Sequence, residues 1–150
     1  MNLPFLRHLP SLGRQPLHRI VAATGATTAE AALQHLLAEL PELLMAAVVT
    51  TDSGQVLASY TSQPHLKPSS AAPFWAALVQ QLQASQAAQG QADEQPAEVL
   101  TTLLSQLHLL GLQPDGRQFL YLVVDAHDTN LALARELVHQ AINLLSVTKQ

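Results

Sequence analysis

The sequence predicts one mixed domain of the α/β (α+β) kind, in which three helices and five strands follow one another as α-β-β-α-β-β-β-α. Three observations carry this reading. Three segments repeat apolar residues at helical spacing. An apolar, β-branched run meets Asp52-Ser53-Gly54 and continues into a second run of strand length. Three more strand-length runs separate the second helical segment from the third. At 150 residues the chain has the size of a single domain and can bury roughly 68 to 70% of the surface its unfolded form exposes.

The first helix is expected over about Thr28 to Leu40. Thr27 and Glu30 have the spacing of a capping box, Leu33, Leu36, Leu37 and Leu40 share one stripe, and Pro41 cannot extend the helix because it has no amide hydrogen. Leu44 to Thr51 and Val56 to Thr61 then form a hairpin across the Asp52-Ser53-Gly54 turn. The first of these strands is apolar at nearly every position, so both faces of its sheet need a cover. In the second helix Trp75, Leu78, Val79 and Leu82 repeat at helical spacing, with Pro73 placed in the first turn. A Gln/Ala-rich tract around Gly90 and Pro96 ends it. Strands follow at about Val99 to Leu104, Leu107 to Leu112 and Phe119 to Val124, the last two joined by Pro114-Asp115-Gly116. The third helix places Leu131, Ala134, Val138, Ala141 and Leu145 on one stripe.

Charge divides the chain. Residues 1–26 carry Arg7, Arg14 and Arg19 and no acid, net +3, whereas residues 27–150 carry four cations and eleven acids, net −7, which together make the overall −4. The first segment reads as a basic, proline-containing arm and the rest, to about residue 148, as the folded domain. A net-negative body offers little to neutralise phosphates, so nucleic acid is not an expected partner. No apolar run reaches the length of a membrane span or of a signal peptide, so stable membrane insertion is not expected either and the chain reads as cytoplasmic. Hydrophobic residues make up 48% and charged residues 12% of the chain. That surplus of apolar surface points to a protein partner.

Motifs for chemistry are sparse. Without cysteine there is no thiol nucleophile, disulfide or cysteine zinc site. The histidines, His8, His18, His35, His65, His108, His127 and His139, have no HxH or HxxxH spacing. No glycine loop for phosphates and no nucleophile elbow occurs, so no cofactor, no nucleotide site and no catalytic residue is assigned. Asp125, His127 and Asp128 sit where a strand hands over to a helix, and Asp128, Thr129 and Asn130 suit the capping of that helix. Phe74 and Trp75 are adjacent, so they point about 100° apart and cannot share one narrow core stripe. One of them is expected to face a partner.

Two stretches, LLAELPELLMAAVVTTDSGQVLASY and FLYLVVDAHDTNLALARELVHQAINLL, resemble the roadblock family, which includes the dynein light chain roadblock and bacterial polarity-regulator domains. The likeness spans about residues 28 to 147, with Ala132 and Ala46 or Ala47 at places where the family often has glycine. It implies a five-stranded antiparallel sheet with two helices on one face and the middle helix on the other. It further implies a non-enzymatic protein that pairs as a homodimer or heterodimer and binds a small Ras-like GTPase or scaffold subunits. Some bacterial members of the family stimulate hydrolysis by their GTPase without supplying an arginine finger. The positions matching its pairing surface are Phe74, Trp75, Leu78, Val79 and Leu82 on the middle helix and Val99, Leu100, Thr101, Thr102 and Leu103 on the third strand. An unpaired third strand and an apolar middle helix both call for a cover on physical grounds as well. Two alternatives remain: a sensor domain holding a small ligand between sheet and middle helix, and a structural scaffold subunit without a GTPase.

Overall fold

The computed structural model describes residues 19–146. Its elements in chain order are β1 (Val21–Ala22), α1 (Thr27–Glu39), β2 (Met45–Thr50), β3 (Val56–Thr61), α2 (Pro68–Ala88), β4 (Glu98–Thr102), β5 (Gln106–Leu112), β6 (Gln118–Asp125) and α3 (Leu131–Leu145). The strands form one antiparallel sheet in the order β1-β3-β2-β6-β5-β4.

Alternation along the central strands divides the core into two layers. Ala46 and Val48 of β2 and Leu120, Leu122 and Val124 of β6 point to one face, where they pack with Leu33 and Leu36 of α1 and Ala134, Val138 and Ala141 of α3. Met45, Ala47 and Val49 of β2 and Phe119, Tyr121 and Val123 of β6 point to the other face, beneath Ala72, Ala76 and Val79 of α2. The continuous apolar pattern of the first hairpin strand has this cause: two helices cover one side of it and one helix the other. Each fully buried Leu, Val or Phe in these layers contributes about 1.5 to 3 kcal/mol.

Among the described residues the sheet has six strands, not five. The additional strand is β1, whose Val21 and Ala22 stand opposite Ser59 and Ala58 of β3, while the Ala23 amide donates to the Leu57 carbonyl at 2.8 Å. A two-residue strand is too short to leave a periodic trace in sequence, and composition groups these residues with the basic arm. Residues 1–18, with Arg7, Arg14, His8 and His18, and residues 147–150 lie outside the described part.

Local signals near the helix ends were overridden in two places, at α1 and α2, and held at α3. The N-cap of α1 is Ala26, with no side-chain cap bond, so Thr27 stands inside the helix and the Thr27/Glu30 capping box does not form. Helix α2 starts with Pro68 at its first position, which places Pro73 inside the helix rather than in its first turn. The cap of α3 is Asn130, whose Oδ1 accepts from the Leu133 amide at 3.1 Å.

Two glycines make close approaches possible. Gly54, at φ +69°, closes the β2–β3 turn, and a Cβ there would stand 3.3 Å from the Pro73 Cα of α2. On the opposite face a Cβ at Gly111 would come within 2.6 Å of Val138 Cγ1, so α3 can lie this near β5 only over a residue without a side chain. His35 Nε2 and Gln140 Oε1, 2.8 Å apart, fasten α1 to α3.

Candidate interaction surface

Among the described residues strand β4 pairs with β5 along one side and with no other strand. The Leu103 amide donates to the Gln106 carbonyl at 2.8 Å and the Leu112 amide to the Ala97 carbonyl at 3.0 Å. Antiparallel pairs alternate between bonded and non-bonded, so Val99 and Thr101 also turn their backbone groups toward β5. The N–H and C=O groups of Glu98, Leu100 and Thr102 therefore point away from the sheet. Side chains alternate the other way. Val99 packs against the layer beneath α2, whereas Glu98 lies on the α3 side and accepts from Arg135 Nε at 2.7 Å. Leu100 is 40% exposed, Leu103 47% and Leu104, at the tip of the β4–β5 turn, 97%.

Helix α2 completes the surface. Its glutamines tie the buried side to the ends of two hairpins: Gln80 Nε2 donates to the Thr51 carbonyl at 2.8 Å, and Gln83 Nε2 donates to the Gly116 carbonyl at 3.5 Å. With Ala72, Ala76 and Val79 buried and each residue advancing about 100°, the remaining directions follow. Pro73 lies on the flank above the β2–β3 turn, beside Gly54. On the other flank, toward β5, the order from the sheet outward is Leu82 and Trp75, then Leu78, then Phe74. Trp75 and Leu82 are half-buried, Leu78 is 36% exposed and Phe74 78% exposed. An apolar strip thus climbs from the sheet around the helix on the side facing the unpaired strand.

The adjacent aromatics divide as their angular separation requires. Phe74 faces solvent, and Trp75 lies over the sheet with its ring centroid 4.1 Å from that of Tyr121 and 5.9 Å from that of His108. Of the ten positions singled out in sequence, Phe74, Leu78, Leu100, Thr102 and Leu103 are exposed, Trp75, Leu82, Val99 and Thr101 are half-buried, and Val79 is enclosed in the chain's own core. Leu104 was not among them, although it is the most exposed large apolar residue of this edge. Its one sequence signal is a leucine pair directly before Ser105, at the end of a strand.

The Asp125-to-Asn130 region is a capped turn. Asp125 Oδ1 accepts from the amides of His127 at 2.8 Å and Asp128 at 3.1 Å, and Asn130 caps α3. Among the described residues no group of three or more His, Asp or Glu side chains is placed to hold a metal ion, and no helix is long and apolar enough to cross a membrane. Two depressions, among others on the described surface, adjoin these elements. One, of about 380 Å³, lies between α3 and the loop before β4 and is flanked by Asp93, Glu94 and Glu98. The other, of about 400 Å³, opens beside Trp75 on the α2 face.

No protein-family model matches the chain, and no curated protein is similar to it. Solved structures are. The MglB of Myxococcus xanthus superposes with a TM-score of 0.71 at 17% identity, covering 87% of this chain and 98% of that one. An MglB with tetrameric arrangement gives 0.66 at 20% identity, over 84% of this chain and 92% of that one. A Roadblock/LC7 domain from Streptomyces avermitilis gives 0.54 at 16% identity, over 79% and 91%. The chain has the roadblock fold, of the type found in bacterial MglB.

Proposed function

We propose that the protein is a non-enzymatic, cytoplasmic regulator that pairs with a second copy of itself through β4 and α2 and, as a dimer, binds a small Ras-like GTPase and modulates its nucleotide cycle. One observation carries the pairing: the unpaired backbone groups of Glu98, Leu100 and Thr102 lie beside the apolar strip that ends in Leu78 and Phe74. A twofold axis at that edge and perpendicular to the sheet lets two β4 strands bond to each other and brings each strip against the partner's, so polar and apolar demands are met together. The tetrameric arrangement recorded for an MglB of this fold supports self-association. The GTPase reading rests on the roadblock resemblance.

Light scattering at micromolar concentration tests the first half. Twice the 16.1 kDa of one chain is expected, and a monomer at all concentrations would remove the proposal. Affinity capture from source lysate, with a GTP analogue or GDP present, tests the second. A Ras-like GTPase retained in one nucleotide state more than the other is expected, and its absence from both sinks that half.

A further inference from the structure

Helix α2 leaves part of the sheet beneath it open. A cleft of about 400 Å³ lies there, between the start of α2 and strands β2, β5 and β6, and its size falls within the ordinary range of small-molecule sites. Met45 and Val123 supply an apolar floor with Tyr121, Trp75 and His108 supply the walls, and Lys67 stands at the mouth. The Trp75 and His108 ring planes lie 28° apart with centroids separated by 5.9 Å. The two rings stack on each other and Trp75 also rests on Tyr121 with centroids 4.1 Å apart, so a cluster of three aromatic rings borders the cleft.

The polar groups of the cleft are ordered. The Tyr121 hydroxyl donates to His108 Nδ1, and the other ring nitrogen, Nε2, donates to Gln106 Oε1 at 3.1 Å. Both nitrogens are then used by a neutral imidazole, and burial pushes the His108 pKa below its ordinary 6.5. None of the ten residues lining the cleft is acidic. Among the described residues the ion pair present is that of Arg135 with Glu98, so the Lys67 ammonium has no carboxylate partner there. The cleft thus combines flat, uncharged aromatic walls with a single unpaired cation at the entrance.

We propose that this cleft is a binding site for a small aromatic carboxylate, its ring lying against Trp75 and His108 and its carboxylate on Lys67. The site does not rest on the pairing and GTPase reading, but it opens beside Trp75, part of the strip that pairing covers, so a bound ligand and a second copy compete for that surface. Trp75 is the one tryptophan of the chain, so its emission reports occupancy directly. The full-length protein is titrated with phenylacetate, with the uncharged phenylacetamide and with the cationic benzylamine.

A saturable change with phenylacetate is expected, with a dissociation constant on the order of 1 mM or tighter. The amide should bind about two- to fivefold more weakly, the usual worth of an exposed ion pair, and the amine more weakly still. Lys67→Met should reduce phenylacetate to the amide's affinity, and Lys67→Arg should restore it. Lys67 is exposed, so neither variant threatens the fold. No saturable change with phenylacetate, equal affinity for amide or amine, or indifference to Lys67→Met would each overturn the proposal. Molecular mass measured on the same samples keeps this result separate from that of self-association.

Discussion

Phe74→Ala separates a residue that serves the fold from one that serves an interface. In the single chain the Phe74 side chain is 78% exposed, so its removal takes little from the core. Burying a phenylalanine fully is worth about 1.5 to 3 kcal/mol. The fraction still exposed leaves about 1.2 to 2.3 kcal/mol to be gained on association. A twofold dimer contains the residue twice, so the variant should lose roughly 2 to 5 kcal/mol of dimer stability. At 1.4 kcal/mol per factor of ten, the dimer dissociation constant rises by about 30-fold to 3,000-fold. Sedimentation equilibrium over a series of concentrations measures that constant, and thermal unfolding at the lowest concentration measures the monomer. The expected result is a weaker dimer of unaltered monomer stability. An unchanged dissociation constant would refute the placing of Phe74 at the seam, whatever happened to the melting temperature.

Proline at successive β4 positions should act differently. Leu100→Pro removes an outward amide and should weaken the dimer while the monomer stays folded, whereas Thr101→Pro breaks the bond to β5 and should lower monomer stability, as circular dichroism and light scattering together will tell. Asn130→Ala should cost about 0.5 to 2 kcal/mol in urea unfolding, the usual loss for an N-cap, while Asp128→Ala should cost much less because its side chain makes no cap bond. Gly111→Ala forces a methyl against Val138 and should destabilise by about 1 to 3 kcal/mol, with Val138→Ala in the same chain recovering part of the loss. Burial lowers the His108 pKa from its ordinary 6.5, so the unfolded chain takes up this proton first. The stability due to the neutral His108 is complete above about pH 6.5 and is lost as pH falls below it. His108→Gln should flatten the stability profile over that acidic window in parallel urea titrations, and an unchanged slope would exclude His108 as its source.

The order of the helices and central strands was legible because each depends on neighbours in sequence: the leucine stripe of α1, the Asp52-Ser53-Gly54 turn, and the apolar run of β2, which is long enough to require cover on both faces. Antiparallel pairing and the side of each helix came from the roadblock resemblance and agree with the structure. Other features depend on contacts between segments far apart in the chain. Whether Phe74 or Trp75 turns outward is decided by the azimuth of α2, which Ala72, Ala76 and Val79 set against the sheet and Gln80 and Gln83 hold at the hairpin ends. Which amides of β4 remain free is decided by its register on β5, where a shift of one residue would exchange Leu100 for Thr101. The strand β1 exists because the edge of β3 offers bonds to a segment with no strand pattern of its own. The meeting of Trp75, His108 and Tyr121 has the same origin, since the three come from α2, β5 and β6 and share no local spacing. Periodicity and turn chemistry are properties of contiguous residues and can be read from them. Azimuth and register are relations between surfaces, and the packed structure alone decides them.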